Sequence, residues 1–489
     1  MNAPWSNSAR PFAVALLLGF LAVNLTATSL SAQKAASRPN IVLCMADDQG
    51  YGDVGYYGNQ LPHTPNLDAM AAASLRLDRF YAAAPVCSPT RGSVLTGRHP
   101  NRFGCFKWGY TLRPQEVTLP ELFQKAGYAT GHFGKWHLGS VRASSVCSPG
   151  KNGFDRWLSS PNFYENDPWM SENGRSIQVI GESSDVAMMS AIGFIREAAD
   201  AGKPFLAVVW FGSPHLPHIA DPIDRQHYKD QPAAVQNYYG EISGIDRAMG
   251  TLRGALQVMG LAENTIVWYT SDNGAQTSGK RPGSNGGLAG RKGTLWEGGI
   301  RVPTIIEWPL KIKQPRTSNL LSGTVDILPT LVDLAGVAQP DNSPPLDGRS
   351  LRGLIEAKPQ PLGRTMGFWD YPARGRSVKS TDLLKQLAAE QKAGEERDSK
   401  ALYPNEGTIE KASVPDPSRG PAAWMDGPYK LLRQINQQGA ATYKLFQLDK
   451  DRNEESDLAA TEPARVERMK KALAEWQQSV VRSYRGEDY

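Results

Sequence analysis

Three almost wholly apolar runs, each ending abruptly in polar residues, constrain the fold of this chain more than any other feature of its sequence. They occupy residues 41–45, 205–210 and 265–270. A strand that is apolar at every position is typical of a mostly parallel sheet that is covered on both faces. With 489 residues, of which 40% are hydrophobic, the chain has enough apolar side chains for a large core. We therefore predict an α/β fold.

A long helix is predicted between the second and the third run. Apolar residues recur there at spacings of three and four from Val235 to Met259, which indicates one amphipathic helix. Strand, helix and strand in this order are typical of a βαβ unit, and in open sheets of such units the ligand crevice lies outside the carboxyl ends of the strands. We expect a functional site at that edge, because polar residues follow each run: Asp47-Asp48, Ser213-Pro214-His215 and Asp272-Asn273.

The N-terminal segment has the pattern of a secretory signal peptide. Residues 12–23 are apolar, Arg10 precedes them, and a small, polar stretch follows. We predict a cleavable signal peptide at residues 1–32, because an uncleaved membrane anchor needs a longer run of about 18 to 20 apolar residues. The predicted location is secreted or periplasmic, with no stable membrane insertion.

The rest of the chain is predicted to divide into an α/β domain at residues 38–362 and a C-terminal subdomain at residues 363–489. Residues 374–422 are rich in Lys, Glu, Ser and Pro, which indicates a long insertion or surface loop, helical in part at residues 383–393.

The tail of the chain recovers regular patterns. Residues 429–433 and 443–448 alternate between apolar and polar like two paired strands, and residues 466–476 predict a closing amphipathic helix. The predicted fold class is therefore α/β, with a large, mostly parallel sheet flanked by helices, followed by a smaller C-terminal antiparallel sheet plus helix.

Charge and cysteine content exclude two classes of function. The 54 basic and 49 acidic residues leave a net charge of +5 with no long basic block, so we expect no nucleic-acid partner. The four cysteines include no C-x-x-C pair, which argues against structural zinc. A disulfide between Cys105 and Cys147 is compatible with export, and the sequence leaves it open.

The most informative motif begins at Cys87. Alone, a cysteine in an exported protein indicates a buried small residue or half of a disulfide. Here Cys87-Ser88-Pro89-Thr90-Arg91 is followed by Leu-Thr-Gly-Arg at residues 95–98, whereas Cys147-Ser148-Pro149 lacks both the arginine and this continuation. The longer motif resembles the signature of the type I, formylglycine-dependent sulfatase family, which is arylsulfatase-like and part of the alkaline phosphatase superfamily.

The resemblance implies an alkaline phosphatase-like catalytic domain in which Cys87 is oxidised enzymatically to formylglycine (3-oxoalanine). A formylglycine-generating enzyme or an anaerobic sulfatase-maturing enzyme is then an expected partner. The hydrated aldehyde offers two hydroxyls: one attacks sulfur, and the other expels sulfate by restoring the aldehyde. A helix that begins beside Cys87 would direct its positive end toward the anion.

Oxygen-bearing side chains at two strand ends indicate a site for one divalent cation. Asp47, Asp48, Asp272 and Asn273 offer no nitrogen or sulfur donor, which favours calcium over zinc and leaves magnesium open. Residues 47–53 and 271–274 also match the calcium-binding segments of sulfatases. The resemblance implies that residue 87, as the aldehyde hydrate, joins this ligand set.

Further residues receive catalytic roles from the resemblance. Lys135 and His137 lie in a Gly-Lys-Trp-His-Leu-Gly run that matches the second sulfatase signature, and Lys292 lies in a Gly-Lys-Gly-Thr-x-x-Glu-Gly-Gly pattern. The resemblance implies that Lys135 binds sulfate oxygens and that His137 takes the proton when sulfate is eliminated. His215 would protonate the leaving alcohol, while Arg91 and Lys292 would offset the charge of the sulfate.

The predicted function is hydrolysis of a sulfate monoester through a sulfated-enzyme intermediate. We expect a sulfated saccharide or small molecule as substrate, because aromatic faces suit sugar rings and the chain is rich in tryptophan, including Trp108, Trp136, Trp169 and Trp369. Two alternatives are a phosphate or phosphonate ester hydrolase of the same superfamily and a secreted carbohydrate-binding protein on an inactive scaffold. Residues 374–422 and 103–110 depart from the family pattern, and we expect them to set specificity.

Overall fold

The computed structural model describes residues 38–277, 282–359, 363–398 and 414–489, so the predicted signal peptide at residues 1–32 lies outside the described residues. The three apolar runs form neighbouring strands β1 (Asn40–Ala46), β8 (Phe205–Trp210) and β9 (Thr265–Ser271). β1 lies between β8 and β9 and is parallel to both. The predicted parallel core of the sheet is confirmed.

The large sheet contains seven further described strands: β2 (Leu75–Leu77), β4 (Ala129–Lys135), β5 (Arg156–Ser160), β6 (Trp169–Glu172), β7 (Arg175–Gln178), β10 (Ile305–Glu307) and β11 (Arg316–Ser318). Its ten described strands have the order β11-β2-β10-β9-β1-β8-β4-β5-β6-β7. The centre is parallel, while β10 is antiparallel to both of its neighbours and β6 and β7 extend the other edge as antiparallel strands. A separate two-stranded sheet pairs β3 (Phe80–Tyr81) with β12 (Ser322–Gly323).

Helices cover both faces of this sheet, which is why almost every residue of its central strands is buried. Ile41, Leu43 and Met45 of β1 contribute to the core on one face, and Val42 and Cys44 to the core on the other. The first face is covered by α2 (Cys87–Thr96), α3 (Leu119–Lys125) and α8 (Ile327–Ala335), and the second by α1 (Pro65–Ala73), α4 (Ser183–Asp200) and α6 (Ala233–Val258). α6 is the long helix predicted from its spacing.

The C-terminal residues form the predicted antiparallel sheet and helix. The sheet has the order β13 (Thr365–Trp369), β14 (Ala422–Asp426), β15 (Tyr429–Ile435) and β16 (Ala441–Gln447). Leu431 of β15 pairs with Leu445 of β16, and both pack on Val466 and Met469 of the closing helix α11 (Pro463–Tyr484). The two predicted strands are confirmed, and the structure adds β13 and β14.

The segment predicted as an insertion contains helix α10 (Ser380–Ala393), which confirms the helix expected at residues 383–393. Leu384 and Leu387 of α10 are buried in the core on the first face of the large sheet. Residues 399–413 of the predicted insertion lie outside the described residues, and the division of the chain after residue 362 stays a prediction. Three short helices complete the list: α5 (Pro222–Arg225), α7 (Glu297–Ile300) and α9 (Arg352–Ile355).

Two features of the structure bear on the predicted export: its helices and its cysteines. In the part of the chain that the structure describes, no helix is both long and apolar enough to cross a membrane. All four cysteines are buried thiols, so no disulfide joins Cys105 to Cys147. The Cys147 thiol instead donates a hydrogen bond to the carbonyl of Leu112, with 3.2 Å between sulfur and oxygen.

Candidate active site

The register of two parallel strands brings four predicted metal ligands together. Ala46 at the end of β1 is paired with Ser271 at the end of β9, so Asp47-Asp48 and Asp272-Asn273 leave the sheet side by side. The Asp48 N–H donates to Asp272 Oδ1 at 3.1 Å, and Asn273 Nδ2 donates to Asp48 Oδ1 at 2.8 Å. All four side chains are buried.

Cys87 begins helix α2 at the same edge. Its Sγ and one carboxylate oxygen each of Asp47 and Asp272 all lie within 4.8 Å of one another. Burial raises the pKa of the Cys87 thiol, an effect that the nearby Lys135 and Lys292 ammonium groups oppose. The unmodified thiol is therefore a poor nucleophile at neutral pH, because the thiolate is the reactive form.

Two cations lie close to Cys87, and both are fully buried. Arg91 lies one turn along α2. It donates one hydrogen bond from Nη2 to Asp272 Oδ2 at 2.7 Å and another from Nη1 to the Lys135 carbonyl at 3.1 Å. Its guanidinium lies over the ring of Trp210, 5.2 Å from the ring centroid. Lys135 is the last residue of β4 and pairs with Asp47. The geometry thus places two positive charges against two of the carboxylates.

Lys292 supplies a third cation from a glycine-rich loop. Its Nζ is 2.6 Å from Asp48 Oδ2, and its N–H donates to the Ala275 carbonyl at 3.1 Å. Gly293 adopts a φ of +85°, which favours glycine, and its N–H donates to the carbonyl of Pro85 at 2.9 Å. Burial opposes the charge of Lys292, but the Asp48 carboxylate outweighs it and raises the pKa of Lys292.

His215 follows β8 and stacks on a residue that the sequence did not indicate. Its Nδ1 is 2.6 Å from the Leu216 carbonyl, and because a carbonyl only accepts, Nδ1 carries the proton of the neutral ring. Nε2 lies 3.8 Å from Asp48 Oδ2. The ring of Phe163 stacks on the imidazole, with 4.6 Å between centroids. Burial, together with Lys292, lowers the pKa of His215 to about 3, so the free ring is neutral.

His137 lies two residues after β4 in a left-handed backbone conformation, with a φ of +55°. Both ring nitrogens are buried, and neither has a hydrogen-bond partner among the described residues. Burial, followed by the positive charges of Lys135 and Arg91, lowers the pKa of His137 well below its ordinary value. A neutral imidazole with an unoccupied nitrogen can accept a proton.

The donor set fits a hard divalent cation. Asp47 Oδ1 and Asn273 Oδ1 are buried and accept no hydrogen bond from the described residues, as is expected of atoms that bind an ion. Burial and the neighbouring Asp47 raise the pKa of Asp272 to about 7, so the carboxylates repel one another when no further positive charge is present. Oxygen donors of this kind are the ligands that calcium and magnesium prefer.

The structure corrects the aromatic argument for a sugar substrate. Trp136 and Trp369 are buried in the core and cannot contact a saccharide, Trp169 is half-buried, and Trp108 is 42% exposed. Sequence reasoning also missed Phe163 and the position of Trp210 beneath Arg91. Trp210 could have been found, since it ends a predicted strand at the functional edge, whereas nothing in the sequence around Phe163 indicates its contact with His215.

Comparison with known proteins places the chain in a family. The family model described as sulfatase matches residues 39–337. The N-acetylgalactosamine-6-sulfatase of Canis lupus familiaris is 34% identical over 362 residues, covering 65% of this chain and 66% of that protein, so the chain spans about two thirds of that relative's length. The ulvan-active sulfatase of Formosa agariphila is 31% identical over 372 residues, covering 71% of each chain.

A solved structure supports the same assignment at the level of the fold. The crystal structure of Ps i-CgsB in complex with k-i-k-neocarrahexaose matches with a TM-score of 0.74 and 23% identity over 90% of this chain and 92% of that chain. The family match spans more than half of the chain and includes every residue brought to this edge of the sheet. The chain therefore belongs to the sulfatase family.

Proposed function

We propose that this protein hydrolyses a sulfate monoester of a carbohydrate to an alcohol and inorganic sulfate, with formylglycine at position 87 as the nucleophile. The observation that carries the proposal is the meeting of Cys87, Asp47 and Asp272 within 4.8 Å at the N-terminus of a ten-residue helix. A saccharide substrate is favoured by two relatives whose names refer to sulfated sugars, N-acetylgalactosamine-6-sulfatase and ulvan-active sulfatase.

The charges of the site support an anionic substrate. Three cations, Arg91, Lys135 and Lys292, are paired with the three carboxylates of Asp47, Asp48 and Asp272. A calcium ion held by these carboxylates, Asn273 and residue 87 would add positive charge that offsets the sulfate and the oxygen nucleophile.

We expect calcium to raise the melting temperature more than magnesium does at equal concentration, and Asp48→Asn to remove the rise. Equal shifts for the two ions would contradict the choice of calcium.

The first proposed step transfers the sulfuryl group to residue 87. One hydroxyl of the hydrated aldehyde gives its proton to the Asp272 carboxylate and attacks sulfur, a new S–O bond forms, and the bond from sulfur to the alcohol oxygen breaks. His215 protonates the departing oxygen from Nε2, the nitrogen that is free in the neutral ring. The negative charge of the bound substrate favours the imidazolium that this step needs, because the pKa of the free ring is about 3.

The second proposed step releases sulfate. His137 takes the proton from the remaining hydroxyl of residue 87, the carbonyl re-forms, and the bond from carbon to the sulfate oxygen breaks. Water then adds to the aldehyde and restores the hydrate. His137 has an unoccupied nitrogen that can take this proton, and the negative charge of the bound sulfate offsets Lys135 and Arg91, which in the free protein disfavour its imidazolium form. A serine at this position has no second hydroxyl and so has no equivalent route for release.

Paired assays test the proposed function. The protein, with formylglycine verified by mass, is given the sulfate and the phosphate ester of one aryl alcohol, with Cys87→Ala as control. We expect kcat/KM to be at least 100-fold higher for the sulfate, and the control to be inactive. A preference for phosphate would support the phosphohydrolase alternative, and no turnover of either ester would support the carbohydrate-binding alternative.

Export and maturation complete the proposal. The signal-peptide pattern at residues 12–23 supports cleavage after residue 32 and a secreted or periplasmic location, and oxidation of Cys87 requires a maturing enzyme as partner. The N-terminal sequence of the protein purified from its native host tests the first point. A mature chain that still begins at Met1 would contradict it.

A further inference from the structure

The loop at residues 105–110 is held directly beside the nucleophile. The Gly109 N–H donates to Ser88 Oγ at 2.9 Å, and Ser88 is the neighbour of residue 87 in α2. The preceding residue, Trp108, is 42% exposed, which is unusual for so large an apolar side chain. The exposed Trp108 ring therefore lies next to the residue that contacts α2, and it is available to a molecule that enters the crevice.

A second segment, from the predicted insertion, lies against this loop. The Arg376 N–H donates to the Trp108 carbonyl at 2.9 Å. The indole packs flat on Gly375, where a Cβ would lie 2.0 Å from Trp108 Cε2. The Arg376 guanidinium lies over the ring of Tyr110, 5.2 Å from the centroid. The two segments in which this sequence departs from the family pattern thus form one wall.

The same segment extends toward His215. Asn162 Nδ2 donates to the Val378 carbonyl at 2.9 Å, and the Asn162 N–H donates to Ser380 Oγ at 3.0 Å. The next residue, Phe163, is the one that stacks on His215. Residues 374–379, which we call the rim segment, therefore run from the side of the crevice near the nucleophile to the side near the proposed acid.

The rim segment carries positive charge that no acidic side chain among the described residues neutralises. Arg374 and Lys379 are exposed and Arg376 is half-buried, and within the described ranges none of the three lies in an ion pair. Lys107 in the facing loop differs, since it pairs with Asp370. The three cations of the crevice are likewise matched by carboxylates. The charges of the rim segment are therefore separate from the three cations that would bind the sulfate group to be cleaved.

We propose that the rim segment and Trp108 bind a second anionic group, a carboxylate or a further sulfate, on a sugar that carries or adjoins the sulfated carbon. This proposal rests on the proposed function. The planar Arg376 guanidinium, already oriented by Tyr110, binds a carboxylate or sulfate through two parallel hydrogen bonds. Trp108 offers its ring to the apolar face of the sugar. The substrate class is therefore an acidic saccharide with more than one anionic group.

Calorimetry tests this proposal apart from catalysis. The full-length protein, in a Cys87→Ala background with calcium present, is titrated with three tetrasaccharides: a sulfated one with uronate carboxylates, its carboxyl-reduced counterpart, and a carboxyl-reduced form with extra sulfate. We expect the uronate form, the form with extra sulfate, or both to bind tenfold more tightly than the carboxyl-reduced tetrasaccharide that lacks the extra sulfate. Which form does so identifies the group as carboxylate or sulfate.

Variants then locate the contact. The triple variant Arg374→Gln/Arg376→Gln/Lys379→Gln is expected to lose this tenfold preference. Trp108→Ala is expected to lower the affinity for all three saccharides by the same factor. The matched control is Lys385→Gln, which removes one exposed positive charge from α10 and should keep the preference. Equal affinity for the three saccharides, or a preference that survives the triple change, would overturn the proposal. Failure of the proposed function is a separate result, the absence of aryl sulfate turnover by the mature wild-type protein.

Discussion

At position 87 the surroundings suit an oxygen nucleophile and an anion better than a thiolate. Burial raises the pKa of the thiol, while the first turn of α2 and three nearby cations favour a negatively charged substrate. The resemblance to the sulfatase signatures predicted Cys87, Arg91, Lys135 and Lys292, because each lies in a short motif that matches one of them. The protonation state of His215 was not predictable, since it depends on the Leu216 carbonyl and on how the loop after β8 folds.

Replacing Cys87 by serine tests the two-hydroxyl argument. The Cys87→Ser protein, shown by peptide mass to contain no aldehyde, has one hydroxyl and can be sulfated once without a route for release. We expect at most one equivalent of alcohol per enzyme in a stopped-flow assay, followed by a steady-state rate at least about 10³-fold below wild type. Cys87→Ala should give no burst, and sustained turnover by the serine variant would contradict the mechanism.

The two histidines should affect different steps. His215→Ala is expected to slow the first release of alcohol by about 10² to 10⁴-fold, more for a sugar sulfate than for 4-nitrophenyl sulfate, whose leaving group needs less protonation. His137→Ala should retain the burst and lose steady-state turnover, because sulfate stays on residue 87. Pre-steady-state kinetics with both substrates checks this. The same loss in both phases for both variants would contradict the separate roles.

At the scale of elements, sequence patterns predicted the strands with long apolar runs and missed the short ones. β1, β8 and β9 each contain an apolar run of at least four residues and were predictable, whereas β10 and β13 contain three and five residues and owe their pairing to neighbours far along the chain. Lys430 likewise has interaction partners that local sequence patterns do not reveal. It points from a predicted strand into the interior, and its partners Glu297 and Glu454 lie 133 and 24 positions away.

The buried cluster of Glu297, Lys430 and Glu454 joins β15 to the start of α7. Lys430 Nζ is 2.9 Å from Glu297 Oε1 and 2.8 Å from Glu454 Oε1, and all three side chains are fully buried. We expect Lys430→Met to lower the free energy of unfolding by about 3 to 5 kcal/mol, because two buried carboxylates lose an ammonium group, although Arg301 still pairs with Glu297. Urea denaturation measures this. Adding Glu297→Gln and Glu454→Gln should restore most of the loss, and a neutral effect of Lys430→Met alone would contradict the account.

At the scale of the molecule, one histidine lies where the large core meets the C-terminal helix. His99 is buried, and its Nδ1 accepts a hydrogen bond from the Asn101 N–H at 3.3 Å. The imidazole meets the ring of Trp476 of α11 edge-on, with 4.8 Å between centroids. Burial lowers the pKa of His99 from 6.5 to about 3, although Asp347 opposes this and Arg102 adds to it. No sequence pattern predicted this position for His99, since a lone histidine after a helix has no distinctive pattern.

The depressed pKa of His99 predicts a pH dependence of stability. Between pH 6.5 and 3 the unfolded chain holds a proton on this ring that the folded chain does not, so its contribution to stability is present above pH 6.5 and is lost as the pH falls toward 3. His99→Asn, whose Oδ1 can accept from Asn101, should flatten the slope of unfolding free energy against pH between pH 6 and 4 by up to about 1.4 kcal/mol per pH unit. An unchanged slope in urea titrations at several pH values would contradict this.

The central claim is that residue 87 acts as formylglycine, and the mass of one peptide tests it most directly. Trypsin cleaves after Arg79 and Arg91, which releases residues 80–91 with position 87 inside. In protein purified from the native host, we predict the mass of an aldehyde in place of the thiol, in proportion to sulfatase activity across preparations. A peptide that contains only unmodified cysteine, from protein that hydrolyses sulfate esters, would contradict the account.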